Sequence, residues 1–226
     1  MKVSFRSAIC LTGLALGFVT VTHAQMDDNV YVVSYIEVIP AETSAAIDLM
    51  QHHAAASRDD DGNHLYQVLQ RIGRPHHFAI IETWDSADAQ AAHAENNHTQ
   101  SFRAAIAPKL YSPYDERMHT NLHVADGAMS GGSIFGVTHV DFTPSFLEEG
   151  LANIAALVTS SRDHDGAVRF DVVTQLNRAN HMTVVESWES AGAQEAHAIS
   201  EEAIHFRAEV QTLMGALYDE RLYRAL

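Results

Sequence analysis

Residues 82–93 read ETWDSADAQAAH, and residues 186–197 read ESWESAGAQEAH. The two stretches lie 104 positions apart, and whether that spacing marks a reused motif or a duplicated domain decides the fold. A reused motif would leave its surroundings unmatched. Here the match spreads outwards at the same offset, with no gap between residues 30–121 and 134–225. SRDDDG (57–62) falls on SRDHDG (161–166), SFRAA (101–105) on HFRAE (205–209), and YDER (114–117) on YDER (218–221). Pro40 falls on Pro144 and His77 on His181. A gap-free match over a unit of this length is a domain duplication. Between the copies, residues 122–133 include HVADGAMSGGS (123–133), small, polar and Gly-rich, which reads as a linker.

Each unit has the same internal order. VYVVSYIEVI (30–39) is β-rich and stops at Pro40, so it predicts a strand. Residues 41–57 predict a helix, whose stripe is clearest in the second copy at Leu147, Leu151, Ile154 and Val158. RDDDG ends that helix, with Gly62 free to take the left-handed conformation. Residues 64–72 and 76–84 predict two strands of a hairpin turned at Gly73–Pro75. Ser86, or Ser190 in the second copy, caps what the pattern predicts to be one long helix to about Ala107. Residues 114–122 predict the last strand. The order βαββαβ is ferredoxin-like, an α+β unit with both helices on one face of an antiparallel sheet.

The strand 76–84 carries His77, Ala79, Ile81 and Thr83 on one face and Phe78, Ile80, Glu82 and Trp84 on the other. Neither is a solvent face, so each needs a covering layer. The unit's own helices supply one, and the other unit's sheet is expected to supply the second. The two units are therefore expected to pack sheet to sheet as an α+β barrel within one chain, leaving further oligomerisation open.

The chain has 226 residues, 46% of them hydrophobic, enough for a packed core. Its net charge of −15 argues against nucleic acid and against an anionic membrane surface as partners. Residues 1–24 read as a secretory signal peptide: Lys2 and Arg6, an apolar run from Ala8 to Val21, and Ala24 before Gln25 at the expected cleavage point. Cleavage would take the charge to −17 and remove Cys10, the only cysteine. The mature protein is expected to be periplasmic or secreted, with no disulfide, thiolate site or membrane segment.

The phrase Glu-x-Trp followed, after eight intervening residues, by His, the preceding SRDDDGNHLYQV and the late Phe102–Arg103 pair together resemble the antibiotic biosynthesis monooxygenase family of the dimeric α+β barrel superfamily. The resemblance covers both units. It implies a ferredoxin-like unit paired into a barrel, here covalently. It also implies a small-molecule monooxygenase that oxidises a phenolic, quinol-type or polycyclic aromatic substrate with O2 and no cofactor. Some relatives degrade haem, but Arg103 and Arg207 stand near where an axial histidine would be needed.

Candidate catalytic residues are His93 and His197 as general bases, since imidazole titrates near neutrality. Tyr35 and its counterpart His139, each on the first strand of its unit beside Glu37 or Asp141, would orient the substrate. Candidate substrate-binding residues are Trp84 and Trp188 as aromatic walls, Tyr66, Arg103 and Arg207 for an oxyanion, and Glu82 and Glu186. Each has a structural alternative: a core tryptophan, a histidine fixing helix to strand, an arginine paired with the acid of YDER. The residue patterns do not predict a metal site. His52–His53 and His76–His77 are adjacent and diverge, no third ligand accompanies a His-x-x-x-His, and Val68 stands where a calcium loop needs glutamate. Two other functions remain open: a non-catalytic exported ligand-binding protein with the same barrel, and a haem- or metal-handling protein.

Overall fold

The computed structural model describes residues 28–125 and 131–226, and the signal-peptide reading of residues 1–24 lies outside them. The first unit runs β1 (Val30–Glu37), α1 (Thr43–Ser57), β2 (Asn63–Arg71), β3 (His77–Trp84), α2 (Ala87–Glu95), α3 (Asn97–Ile106) and β4 (Asp115–His123). The second runs β5 (Ile134–Asp141), α4 (Leu147–Arg162), β6 (Ala167–Gln175), β7 (His181–Trp188), α5 (Ala191–Ala198), α6 (Glu201–Val210) and β8 (Asp219–Ala225).

The expected long second helix is in fact two. Ser86 does cap its start, accepting from Ala89 N at 3.2 Å, and Ser190 does the same from Ala193 N. The helix then breaks at Asn96, whose ψ of 145° is extended, and α3 begins at Asn97. The second copy breaks at the same place, where Ser200 caps α6 by accepting from Ala203 N. Asn and Ser favour such caps because their side chains compete for backbone hydrogen bonds. Asn96 makes no side-chain cap; its amide is turned instead towards Asp60.

All strand pairs are antiparallel, and the ring runs β1-β3-β2-β8-β5-β7-β6-β4 and closes on itself. The units meet edge to edge. Leu69–Arg71 of β2 pairs with Tyr223–Ala225 of β8, and β4 pairs with β6 from His119↔Gln175 onwards. Closure leaves no free edge. It also makes one shared interior, where Val33, Leu69, Ala79 and Ile81 meet Phe135, Val137, Val185 and Tyr223. The outer face of each half packs on its own helices: Ile36, Phe78, Ile80 and Trp84 on Met50, Ala54, Phe102 and Ile106, with the equivalent set in the second unit. Residue 81 therefore points into the barrel and residue 84 into the helix layer, which is why β3 has no wet face.

Gly62 joins α1 to β2 at φ +79°, and a Cβ there would come within 2.7 Å of Ala89 Cβ. The glycine both takes the left-handed turn and lets α2 approach. Gly166 repeats this against Ala193.

Candidate functional site

The sheet separates the candidate residues into two places. Trp84, His93, Glu82, Tyr66 and Arg103 come together between the first sheet half and its helices. Trp188, His197, Glu186 and Arg207 do so in the second. Tyr35 and His139 lie on the opposite face, inside the barrel, so they do not share a pocket with the tryptophans and cannot orient a substrate held there.

In the helix layer, Trp84 is wholly buried and its ring stacks tilted on His93 with centroids 4.6 Å apart. Its Nε1–H donates to Glu82 Oε2 at 2.9 Å. The second copy is alike: Trp188 lies 4.5 Å from His197 and donates to Glu186 at 2.8 Å. Burial pushes the Glu82 carboxyl up to about 8 and Glu186 up to about 7, against the lowering effect of the indole donor. Arg103 pairs with Glu116 of YDER and lies 3.6 Å over the Tyr114 ring, the structural alternative read from the sequence. Arg207 donates instead to the carbonyl of Ala198.

The copies differ around the histidine. His93 Nδ1 lies 2.6 Å from Asp60 Oδ2. Asp60 also receives Asn96 Nδ2 at 2.8 Å and His98 Nε2 at 3.1 Å. His98 Nδ1 in turn lies 3.3 Å from Nδ1 of His53, which stacks flat on Phe102 at 4.3 Å. Burial lowers the His93 pKa, partly offset by Asp60, and takes His53 down to about 3. Burial opposes ionisation of Asp60, but the hydrogen bonds from His93 and His98 outweigh it and hold its pKa below the usual value. The result is a carboxylate ringed by hydrogen-bond donors. With its Nδ1–H donated to Asp60, His93 carries its lone pair on Nε2, where it can act as a base. In the second copy Asp60 is replaced by His164, His53 by Leu157 and His98 by Glu202. His197 Nε2 is held by Ser161 Oγ at 2.9 Å, and burial, then His164, takes its pKa down to about 4.

Asp60, His98 and Asn96 were not singled out from the sequence as site residues, and His53 was weighed only in the His52–His53 pair and set aside. His93 and His98 are five apart, which on an unbroken helix separates them by about 140°. The break at Asn96 brings them to one carboxylate. The available signal was the pair Asn96–Asn97 in mid-helix.

Inside the barrel, the rings of Tyr35 and His139 lie 4.9 Å apart, one from each unit. The guanidiniums of Arg117 and Arg221 lie 5.2 and 5.4 Å from the Tyr35 ring. Burial, then Tyr223, holds Tyr35 far above the usual phenol range, so it is a donor and not a base. Its hydroxyl finds no partner among the described residues. Burial and the two arginines take His139 down to about 4. A cavity of about 650 Å³ opens here at the barrel's mouth, lined by Tyr35, Arg71, Arg74, Asp115, Arg221 and Tyr223 among others; neither Trp84 nor His93 lines it.

The two-unit barrel has known counterparts. A solved protein of Fusobacterium nucleatum provisionally named a monooxygenase matches 88% of this chain and 92% of its own at 14% identity, with a TM-score of 0.78. A solved anthrone oxidase-like protein matches the same shares at 14% identity and a TM-score of 0.68. At such identities the likeness is one of fold. In sequence, YcnE of Bacillus subtilis, provisionally named a monooxygenase, is 29% identical over 82 residues, 36% of this chain and 86% of its own. The sequence profile described as "Antibiotic biosynthesis monooxygenase" matches residues 29–105 and again 134–209, and the chain belongs to that family as two copies of its domain in one polypeptide.

Proposed function

We propose that the protein is an exported small-molecule monooxygenase that oxidises a phenolic, quinol-type or polycyclic aromatic substrate with O2, and that the first unit holds the working site. The observation that carries this reading is the 2.6 Å Asp60–His93 pair set against the Trp84 ring. A carboxylate-held imidazole beside an indole plane suits removal of a proton from a flat aromatic. The electron-rich anion passes an electron to O2 and the two radicals combine. For an activated ring methylene the balance is one oxygen into the new carbonyl, and the second leaving as water with the two hydrogens lost. The substrate is its own reductant, so no flavin or metal is required as redox centre. Dry walls strengthen each polar contact to the anion.

Both rings are buried, so access requires movement. The helix α2 offers the means: its buried residues, Gln90 and His93, are both polar, as are Gln194 and His197 of α5. Lifting it about the break at Asn96 would expose Trp84 and His93 together. The test is oxygen uptake with a panel of hydroquinones and anthrones, with and without chelator. Uptake that depends on substrate and on His93 supports the proposal. None across the panel would favour the second reading, a binding protein, for which the arginine-lined cavity at the barrel's mouth is the specific support. Export is tested by mass spectrometry of the periplasmic or secreted fraction, with an N-terminus near Gln25 expected.

A further inference from the structure

We propose that Asp60, His93 and His98 form a site for one divalent transition ion of the zinc class, and that the ion and the base function of His93 exclude one another. One ligating atom from each of the three residues lies within 4.8 Å of the others. A tetrahedral ion with bonds of about 2.0–2.1 Å holds its ligands about 3.3 Å apart. His93 Nδ1 and His98 Nε2 already stand 2.6 and 3.1 Å from Asp60 oxygens, so small displacements suffice. The three come from three elements: the turn after α1, helix α2, and helix α3 across the break. Outer partners fix them, as metal ligands require. Asn96 holds Asp60, and His53, stacked on Phe102, faces the far nitrogen of His98. Two imidazoles and one carboxylate select zinc, cobalt, nickel or copper over calcium or magnesium.

The duplication offers an internal control. The equivalent positions are His164, His197 and Glu202, again two imidazoles and one carboxylate. There the set is not assembled: Glu202 is exposed and His197 Nε2 is held by Ser161. A second cluster, Glu37 with His76 and His77, lies by the barrel's mouth. Its two histidines are chain neighbours with rings crossed at 62°, a poorer chelate. One ion per chain is therefore expected.

The exclusion follows from the imidazole's two nitrogens and rests on the function proposed above. Without an ion, His93 donates its Nδ1–H in a hydrogen bond to Asp60 and keeps a lone pair on Nε2. An ion on Nδ1 forces the ring proton to Nε2, which becomes a donor. Loading releases no lone pair for substrate, so the ion would silence the base.

The decisive experiment is titration of the tag-free full-length mature protein with Co2+, read by visible absorption, and with Zn2+, read by calorimetry. Wild type should bind one equivalent. His98→Ala and His98→Gln should weaken binding about 100-fold or more, beyond the 10–100-fold of an outer-shell loss, while His164→Ala and His76→Ala leave it unchanged. Far-ultraviolet circular dichroism checks that each variant is folded, and the two His98 variants guard against one failing to fold. No binding by wild type, unchanged binding in a folded His98 variant, or loss only with His76→Ala overturns the site. A second arm compares Zn2+ inhibition of oxygen uptake, each protein against its own chelator-treated rate. Wild type should be inhibited and His98→Ala insensitive. Equal inhibition overturns the exclusion. Binding without any oxygen uptake would leave the site standing and sink the proposed oxygenase; uptake without binding would do the reverse.

Discussion

Asp60 reaches 2.6 Å from His93, although 33 residues separate them, while the residue that replaces Asp60 in the second copy, His164, meets His197 only edge to face with ring centroids 5.5 Å apart. One copy has a carboxylate at hydrogen-bond distance from its imidazole, while in the other Glu186 Oε2 stands 4.0 Å from His197 Nδ1. The two sites should therefore be unequal. His93→Ala is expected to cut turnover by about 10²–10⁴, as loss of a general base does, and Asp60→Asn should fall in the same direction. His197→Ala should cost much less. Steady-state oxygen uptake checks this, alongside melting curves that separate lost chemistry from lost fold. Equal losses in His93→Ala and His197→Ala would sink the asymmetry.

Glu82 and Glu186 sit uncharged against their tryptophans at moderate pH. Their folded pKa values, about 8 and about 7, lie above the ordinary 4.5 because burial disfavours the anion. A raised carboxyl binds its proton more tightly folded than unfolded. Its stabilising contribution is whole below pH 4.5 and is lost progressively as pH rises towards 7 and 8. Stability should therefore fall across that window. Glu82→Gln keeps an oxygen for Trp84 Nε1 and removes the ionisation, so it should be more stable than wild type at pH 8.5, on the order of a few kcal/mol. At pH 4.5 the gap should nearly close. Urea melts at the two pH values measure it; a gap that does not grow with pH counts against this account.

What the sequence could say about all this is uneven, and the reasons are physical. The duplication, the strands and the caps at Ser86 and Ser190 were legible because they rest on periodicity and on local backbone chemistry. The break at Asn96 was not read, although Asn96, Asn97, His98 and Thr99 are weak helix formers, because low propensity alone does not separate a strained helix from two helices. Pairing of Leu69–Arg71 with Tyr223–Ala225 is a contact across the whole chain that no local pattern encodes. Tyr35 was read with the tryptophans because its strand was known but not which face would turn inwards. Asp60 appeared only as part of a helix stop. Its role depends on the break at Asn96, which removes the offset of about 140° that a five-residue spacing leaves between His93 and His98 on a continuous helix.

Gly62 should be more sensitive than Gly73, although both have φ near +78°. Alanine at either position pays for a left-handed backbone, about 1–2 kcal/mol. At Gly73 nothing lies within 4 Å of the new methyl. At Gly62 it would meet Ala89 Cβ at 2.7 Å and the Asp85 carboxylate at 2.6 Å, adding about 1–3 kcal/mol of overpacking. Since Ala89 lies on α2, relief of that clash should also move His93. Gly62→Ala is thus expected to lower both melting temperature and turnover, and Gly73→Ala melting temperature alone. A Gly62→Ala protein with wild-type activity would show that α2 is not held through this contact.

The last expectation concerns whether either half can stand alone. Removing the second unit would free the edge of β2 that pairs with β8 and the edge of β4 that pairs with β6. It would also expose Val33, Leu69, Ala79 and Ile81, which are buried against Phe135, Val137, Val185 and Tyr223. An unpaired edge beside an apolar face is a template for association. Residues 25–125 expressed alone should therefore self-associate or aggregate, and so should residues 131–226. Mixed or co-expressed, the halves should pair one to one, since the strand pairing of the two seams does not need the covalent link. Light scattering after size-exclusion chromatography reads the outcome directly. A half that remains a folded monomer at micromolar concentration would mean that the seams hold less of the fold than their pairing implies.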